Sequence, residues 1–260
     1  MRTALLLACL LSACAGPARV TSFHLLTAAD ADLVVAGDGS GDFRTITDAL
    51  RRAQPGSLIL VRPGRYREAV ALHSGIRLVG SGPDATVIDA GAAPAALVLQ
   101  DSGSVVSGLA LVNASETGIV VASGRHYVER CLIAGNGQNG IALTGNSCVA
   151  LELDHCTIAD NPVAGLSLSS AVAGITIRNS ILAFNGRAAA RTEPQPAAGQ
   201  ISLERSCLNN LDLGSDSLLM GNALILADPG FLNRPRDYRL SSASPCLDKA
   251  PHRRNLGCFP

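Results

Sequence analysis

A short apolar phrase led by glycine recurs at nearly constant spacing through the middle of the chain. The leading residues are Gly118, Gly140 and Gly165, so the period is about 22–25 residues. A second set of apolar residues advances in step with them, at the same interval: Leu111, Ile133, Ile158 and Leu182. Repeats this short and this rich in Val, Ile and Gly contain several short strands each. The pattern therefore predicts an all-β parallel solenoid whose stacked coils bury a continuous core.

Charge and aromatic content narrow the classes of partner. The 21 basic and 21 acidic residues cancel and no basic run occurs, so nucleic acid is not an expected partner. The chain has no Trp and only three Tyr residues. That suits a core of stacked aliphatic columns, and it leaves few aromatic platforms on which a sugar ring would stack.

Residues 1–13 have the features of a bacterial lipoprotein signal peptide. Arg2 precedes an apolar run at residues 4–11, which is too short to span a bilayer. The run ends in Leu-Ser-Ala-Cys at residues 11–14, which resembles a lipobox, so we expect cleavage before Cys14 and a lipid on its sulfur. The alternative is an ordinary cleaved signal that leaves a free Cys14 thiol. We expect residues 14–31 to form a tether.

This export route predicts a location in the cell envelope, with the membrane as a partner through the lipid on Cys14. No aspartate follows Cys14, so an outer-membrane anchor is expected if the source is Gram-negative. The same route implies an oxidising compartment, where disulfides form.

Residues 32–260 are expected to form a single domain of about six rungs. At a strand separation of ~4.8 Å the solenoid is then only ~30 Å long. A helical spacing of apolar residues near the N-terminus predicts a short helix that caps the open first coil: Phe43, Ile46, Ala49 and Leu50. Residues 186–199 interrupt the apolar alternation and predict a loop extruded from the solenoid.

An asparagine recurs at one turn of successive rungs. Asn136, Asn161 and Asn185 follow one another at the interval of the repeat. Stacked side-chain amides at such a turn satisfy the backbone groups of the corner. We therefore predict a structural asparagine ladder.

Two stretches carry a resemblance to a known family. Residues 37–46 (GDGSGDFRTI) and 61–68 (VRPGRYRE) are similar to the opening of pectin methylesterases, and residues 228–248 resemble the ending of many bacterial β-helix repeat proteins. The chain thus resembles the right-handed parallel β-helix proteins of the pectin-lyase-like group, over roughly residues 32–260. The resemblance implies a right-handed parallel β-helix and a role connected with polysaccharides.

The catalytic motifs of those relatives are missing. Residues 135–140 (GNGQNG), in register with the esterase site, lack a Gln-Asp pair, and no Asp-Phe-Ile-Phe-Gly-like phrase follows. No acidic cluster matches the calcium site of the pectate lyases, and no close Cys or His pair has the spacing of a metal site. We therefore transfer no catalytic residue to this chain, and we expect neither a cofactor nor a metal.

Alternation along each strand distinguishes the side chains that point into the core from those that point to solvent. The outward residues of the glycine-led strands carry only methyls and hydroxyls, so they offer no acid or base. The other repeating strand of the rungs is different, because it places Glu129 and Asp154 outward on neighbouring rungs.

Glu129 and Asp154 are the candidate catalytic pair. We expect their carboxylates to approach within about 5–7 Å, which overlaps the range of two-carboxylate glycosidase sites. Like charges at that distance raise one pKa, as a general acid requires. Tyr127, His155 and Arg178 would then surround the substrate. The competing interpretation is a solvated ionic face on which Arg178 neutralises Asp154, and such surface pairs contribute little.

The cysteines outside the signal leave several pairings open. Six remain beside Cys14, which allows 15 connectivities. Cys246 and Cys258 enclose a short C-terminal segment and are the leading disulfide candidates. Cys131 and Cys156 share one core column and are expected to be reduced thiols that act as small hydrophobes.

Two functional hypotheses follow. The first is an envelope-anchored β-helix lipoprotein that interacts with a polysaccharide without the esterase chemistry of its relatives. The alternative is a carbohydrate-active enzyme of the lyase or glycoside hydrolase type that uses Glu129 and Asp154. The two differ in whether that pair has perturbed pKa values or lies flat and neutralised by Arg178.

Overall fold

The computed structural model describes residues 29–145, 149–169, 172–186, 188–193, 201–209 and 219–260. The first coils contain, in chain order, β1 (Leu33–Val35), α1 (Ile46–Arg52), β2 (Leu58–Val61), β3 (Gly64–Arg67), β4 (Val70–Leu72), β5 (Arg77–Gly80), β6 (Thr86–Asp89) and β7 (Ala95–Leu99). The central coils contain β8 (Val105–Ser107), β9 (Ala110–Val112), β10 (Thr117–Val121), β11 (Gly124–Glu129), β12 (Leu132–Ala134), β13 (Asn139–Leu143), β14 (Val149–Asp154), β15 (Thr157–Ala159) and β16 (Ala164–Ser169). The last coils and the C-terminal segment contain β17 (Val172–Arg178), β18 (Ile181–Ala183), β19 (Ala188–Glu193), β20 (Ile201–Glu204), β21 (Cys207–Leu208), β22 (Leu219–Asn222), β23 (Ile225–Leu226), β24 (Phe231–Asn233), β25 (Asp237–Leu240) and a 3-10 turn at Pro251–Arg253.

Each complete coil contributes one strand to each of three parallel sheets. Sheet A has the order β1-β2-β5-β8-β11-β14-β17-β20-β22, and sheet B has the order β3-β6-β9-β12-β15-β18-β21-β23. Sheet C has the order β4-β7-β10-β13-β16-β19. The prediction of a parallel β-solenoid of about six turns is confirmed. Within the described residues, no helix is long and apolar enough to cross a membrane.

In-register pairing stacks apolar side chains of successive coils on one another in the core. In sheet A, Val106 pairs with Val128, Val128 with Leu153, and Leu153 with Ile177. All four side chains are buried. Sheet C does the same with Ile119, Ile141 and Leu166, so both apolar columns that the alternation predicts are present. Burial of such columns is the main favourable term in folding.

The recurring glycines are explained by the asparagine ladder. A Cβ at Gly118 would lie 2.6 Å from Ile133 Cγ2 and 2.7 Å from Asn136 Nδ2. At Gly140 it would lie 2.5 Å from Ile158 Cγ2 and 3.0 Å from Asn161 Nδ2. Only glycine fits there, because the next turn packs against the backbone. The repeated glycine, apolar residue and asparagine are therefore parts of one packing unit.

The asparagine ladder itself is confirmed. Asn161 Oδ1 accepts from the backbone N–H and from the side-chain amide of Asn136, both at 3.1 Å. Asn185 Oδ1 accepts from the same two groups of Asn161, at 3.2 and 2.9 Å. The amides also donate to core-strand carbonyls, including Asn161 Nδ2 to Ile133 O at 3.2 Å. All three residues are buried, so the ladder satisfies polar groups that no water reaches.

Replacing the central member should therefore be costly. Asn161→Ala leaves several buried donors and acceptors without partners, and we expect it to lower the free energy of unfolding by about 2–4 kcal/mol. Thr144→Ala, at an exposed position that follows β13, should change it by less than about 0.5 kcal/mol. Urea unfolding followed by circular dichroism measures both. Equal midpoints for the two variants would show that the ladder contributes nothing.

Helix α1 caps the first coil as predicted. It buries Ile46 and Ala49, and the Thr45 side chain accepts the Asp48 N–H at 3.1 Å as an N-cap. The carboxylate of Glu68, on the next coil, accepts the N–H groups of Ile46 and Thr47, both at 2.8 Å. A negative charge at the helix start satisfies two orphan donors and fixes the cap to the solenoid.

The prediction of an extruded loop over residues 186–199 is wrong for its first half. Residues 188–193 form β19, which extends sheet C by pairing with β16 from Ala164 to Ser169. A parallel ladder is made by backbone groups, and a run of alanines shows little apolar alternation, so the pattern did not reveal this strand. Residues 194–199 lie outside the described part of the chain.

The C-terminal segment folds back over the outer face of sheet B. Its Tyr238 and Cys258 pack on outward alanines of β9, β12 and β15, and Tyr238 donates to Asp160 Oδ2 at 2.8 Å. The Gly257 N–H donates to Asn179 O at 2.9 Å, and the Cys258 N–H to Thr157 Oγ1 at 3.1 Å. The segment therefore covers a flank of the solenoid, over rungs that lie far earlier in the sequence.

His126 is a titratable side chain inside the core column of sheet A. It pairs in register with Leu151 and is only 1% exposed. Its Nε2 lies 2.7 Å from Ser123 O, and its Nδ1 is buried without a hydrogen-bond partner among the described residues. Burial lowers its pKa from 6.5, against the opposing influence of the Ser123 carbonyl and the Asp101 charge.

Stability should consequently fall below neutral pH because of His126. The folded protein holds this imidazole neutral, whereas the unfolded chain protonates it near its ordinary pKa of about 6.5. Its contribution is full above that pH and is lost progressively as the pH falls toward the folded-state pKa. The unfolding free energy of wild type minus that of His126→Gln should therefore decrease as the pH is lowered from 7.5 to 5. A pH-independent difference would contradict this reasoning.

Candidate functional site

An outward polar column runs along the ends of the sheet A strands. Its members pair in register on five successive rungs: Ser107, Glu129, Asp154, Arg178 and Glu204. Glu129 and Asp154 are the two members that the sequence alternation predicts to point outward. Strands in one sheet are ~4.8 Å apart, so each side chain has the next rung's side chain as its nearest neighbour on this face. The structure therefore brings Glu129 and Asp154 together as direct register partners.

Glu129 is the buried member of the pair, at 6% exposure. The Ser107 hydroxyl donates to its Oε1 at 3.0 Å. Burial raises the pKa of Glu129, and the hydroxyl of Ser107 and the charge of Arg130 offset this only partly. A carboxyl in such a setting retains its proton to higher pH than an exposed one, as a general acid does.

Asp154 is the ionised member. Its Oδ1 accepts from Asn179 Nδ2 at 2.7 Å and lies 2.9 Å from His155 Nδ1. Burial alone would raise its pKa, but the hydrogen bonds from His155 and Asn179 outweigh burial, and the net shift is downward. The two neighbouring carboxyls thus have pKa values displaced in opposite directions, which is the pattern of an acid and a base in one site.

Tyr127 joins the two carboxyls. Its hydroxyl donates to Asp154 Oδ2 at 3.4 Å and is also within hydrogen-bond reach of Glu129. Burial and the two nearby carboxyls raise the pKa of Tyr127, so the phenol stays neutral. Tyr127 therefore lies between a carboxyl with a raised pKa, Glu129, and one with a lowered pKa, Asp154.

Arg178 forms ion pairs with carboxylates other than those of Glu129 and Asp154. Its ion pairs go to Glu152 at 3.6 Å and to Glu204 at 3.1 Å. Glu152 also pairs with Arg125 at 3.8 Å. In the competing interpretation of a solvated ionic face, Arg178 neutralises Asp154. The structure shows ion pairs on this face, but those of Arg178 go to the adjacent column of β14 and to the next rung, while Asp154 is bound by His155 and Asn179 at the corner.

The corner between sheets A and B supplies those partners. One residue per coil has a positive φ there, among them Arg130, His155 and Asn179, with φ of 47°, 49° and 50°. Their N–H groups continue the ladder, as His155 N donates to Arg178 O at 3.1 Å. His155 Nε2 is buried and lacks a hydrogen-bond partner among the described residues. It is the site's available ring nitrogen, whose role depends on the tautomer.

Family membership follows from the length of the match to a family model. Residues 74–218 match the model described as the right handed beta helix region, which is more than half of the chain. The chain belongs to the right-handed β-helix family. Residues 32–112 of this β-helix protein also match the pectinesterase model, which covers the opening motifs. Together with the solenoid, these matches define a pectin-lyase-like right-handed β-helix protein.

Two curated relatives match part of the chain. A probable pectinesterase/pectinesterase inhibitor of Arabidopsis thaliana is 28% identical over 130 residues, which is 47% of this chain and 20% of that protein. A pectinesterase/pectinesterase inhibitor of Solanum lycopersicum is 39% identical over 66 residues, which is 23% of this chain and 11% of that protein. The β-helix protein therefore spans a fifth or less of the length of these relatives.

Solved structures share the fold. The pectin methylesterase from carrot superposes with a TM-score of 0.53 at 17% identity, covering 76% of this chain and 85% of that one. The pectin methylesterase from Aspergillus niger gives 0.50 at 15% identity, with 75% and 85% covered. Identities this low establish a common architecture, and function must be argued from the site.

Sequence analysis missed Asn179, Glu204 and Arg125. Asn179 was missed because alternation describes strands, whereas this residue occupies a corner. A usable signal existed, since Asn tolerates a positive φ and Asn179 follows His155 by one period of the repeat. Glu204 and Arg125 extend the charged face at either end. Within the described residues, no group of three or more His, Cys, Asp or Glu side chains is placed to hold a metal ion.

The cysteines of the β-helix protein are buried thiols where the structure describes them. Cys131 and Cys156 occupy one core column, as expected, and Cys131 Sγ donates to Glu129 O at 3.1 Å. The candidate pair Cys246 and Cys258 is not joined. The two pack in different clusters, because the segment between them crosses from the outer face of β18 and β21 to that of β15. Cys148 and Cys14 lie outside the described residues, as does the whole signal peptide.

The opposed pKa shifts predict opposite effects on stability. Because the folded-state pKa of Glu129 is raised, wild type should lose stability as the pH rises from about 4.5 through that pKa, and Glu129→Gln should not. Asp154→Asn should lower the unfolding free energy by about 1–3 kcal/mol at neutral pH, since it removes charge-assisted hydrogen bonds. That loss should shrink as the pH falls below about 4.

Denaturant unfolding of the three proteins between pH 3 and pH 8 tests this. Parallel pH profiles for wild type and Glu129→Gln would mean that Glu129 titrates as an ordinary surface carboxyl.

Proposed function

We propose that this chain is an envelope-anchored β-helix protein that binds a polysaccharide along the outer face of sheet A. The observation that carries the proposal is the polar column of sheet A. Its first two members, Ser107 and Glu129, are buried, whereas Asp154, Arg178 and Glu204 keep 27–29% of their side-chain surface exposed. These three rungs extend about 10 Å, and their carboxylates and guanidinium group suit a ligand that presents many hydroxyls.

The fold shared with pectin methylesterases supports a carbohydrate ligand, by analogy. The esterase chemistry does not carry over. In the segment in register with the esterase motif, Asn136 is buried in the ladder, and the outward face of β13 and β16 carries neutral residues such as Ser167. Residues used for the solenoid's own turn are not free to act on an ester.

Anchoring rests on the N-terminal residues. The lipobox-like residues 11–14 support removal of residues 1–13 and a lipid on Cys14. The tether at residues 14–31 would then hold the solenoid close to the membrane, at the outer membrane if the source is Gram-negative. A mass spectrum of the mature N-terminal peptide tests this independently of any ligand.

A second candidate function is favoured by one specific observation. The opposed pKa shifts of Glu129 and Asp154 are those of a general acid and a base or nucleophile, as in a glycoside hydrolase or a polysaccharide lyase. In that case Glu129 protonates the leaving oxygen, Asp154 acts from the neighbouring rung, and Tyr127, His155 and Arg178 position the sugar. The ionic partners of Arg178 then also fix the floor of the site.

Binding should be lost when the charged face is interrupted. With the protein lacking residues 1–14 on a panel of immobilised polysaccharides, Arg178→Ala should weaken retention of the bound glycan at least about tenfold. The matched control is Arg51→Ala, because Arg51 is an exposed arginine on α1 that pairs across the helix surface with Asp48. Equal retention of both variants would overturn the binding site.

The same proteins separate binding from catalysis. New reducing ends, or ultraviolet-absorbing unsaturated uronates, that disappear in Glu129→Gln and in Asp154→Asn would establish an enzyme. Retention without any depolymerisation supports the binding function alone. Activity that survives both substitutions would place the chemistry elsewhere.

A further inference from the structure

Cys207 and Cys246 meet on the outer face of the last coils. Cys207 begins β21, whose next residue, Leu208, points into the main core, so alternation turns the Cys207 side chain outward. Cys246 belongs to the C-terminal segment that packs on that face. The two share a buried cluster with Ile181, Ala183, Ala250 and Leu256, and each thiol perturbs the pKa of the other. The Cys207 thiol also donates to Ala227 O at 3.6 Å.

Backbone bonds hold both cysteines in place. The Cys207 N–H donates to Ser180 O at 2.8 Å, and the Cys246 carbonyl accepts the Leu256 N–H at 3.1 Å. The Ser244 hydroxyl accepts the Cys246 N–H at 3.1 Å. Both residues are fully buried, so the thiols have little freedom to separate. The other described cysteines face different partners, since Cys258 packs against β15 and Cys131 against the carbonyl of Glu129.

In the structure Cys207 and Cys246 both carry free thiols. We propose that they can be oxidised to a disulfide that fastens the C-terminal segment to the last coils. This pairing differs from the one that spacing suggested, and it does not depend on polysaccharide binding. The bond closes a loop of roughly 40 residues, so it removes much conformational freedom from the unfolded chain. It would secure a segment that otherwise holds to sheet B through apolar packing and scattered hydrogen bonds.

The chemistry requires a disulfide-bearing oxidant. The thiolate of one cysteine attacks the oxidant, forms a mixed disulfide and releases one thiolate of the oxidant. The second cysteine then attacks the protein sulfur of that mixed disulfide, the protein S–S bond forms, and the second oxidant sulfur leaves. The two protein protons go to the two leaving thiolates, and the oxidant gains the two electrons. Because both sulfurs are buried after packing, the reaction belongs to folding.

In the folded protein the two thiols perturb each other. Their interaction lowers the pKa of Cys246 and raises that of Cys207, to which burial also contributes. The exported location proposed above would supply the oxidising conditions.

Refolding in a redox buffer tests the pairing. The full chain is unfolded in urea with reductant, refolded with reduced and oxidised glutathione, alkylated, and digested without reduction. Mass spectrometry should find a peptide pair that joins Cys207 to Cys246. The oxidised protein should melt roughly 10 °C above the reduced one. Cys258→Ala should retain both the linkage and the shift, whereas Cys246→Ala should lose both.

Two results would overturn the proposal. One is a linkage of Cys246 to Cys258, or of either partner to Cys148. The other is recovery of Cys207 and Cys246 as separately alkylated peptides from the refolded chain. The peptide map of the unsubstituted protein decides the matter even if a variant does not fold.

Discussion

The parallel backbone ladder between successive coils is the constraint on which the structure depends. Each coil hydrogen-bonds to the next in register, so every side chain stacks on its equivalent one rung away. Inside, that stacking forms columns of Val, Leu and Ile. At the turn it forms the asparagine ladder, and the tight approach of the following coil excludes any side chain at Gly118 and Gly140. Period, glycine and asparagine therefore share one physical cause.

The same constraint explains which parts of the fold could be predicted. Core columns, helix α1 and the pairing of Glu129 with Asp154 follow from period and alternation alone. Neither signal describes a corner, so the hydrogen bond from Asn179 to Asp154 was not anticipated. Strand β19 has too little apolar contrast to be recognised. The C-terminal fold-back depends on contacts between residues far apart in sequence, such as Cys258 and Thr157, which no local pattern records, and the position of Cys246 follows from it.

Stacking also creates the chemistry of the charged face. It forces two carboxyls onto neighbouring rungs, where like charges repel. The repulsion is relieved by unequal surroundings: Glu129 is buried beside Ser107, and Asp154 is held by His155 and Asn179. Arg178 does not neutralise the pair, since Glu152 and Glu204 occupy its guanidinium. The two neighbouring carboxyls therefore have pKa values displaced in opposite directions, upward for Glu129 and downward for Asp154.

The fold shared with pectin methylesterases constrains few of the outward residues of a solenoid. The architecture needs only the inward columns and the turns, so outward residues are free to change without cost to the core. In this chain Asn136 belongs to the ladder, and the outward charged column of the described residues lies on sheet A. The retained opening motifs serve the first coils, where Glu68 holds helix α1 in place. Their presence is therefore explained by how the solenoid begins, without any part in catalysis being required.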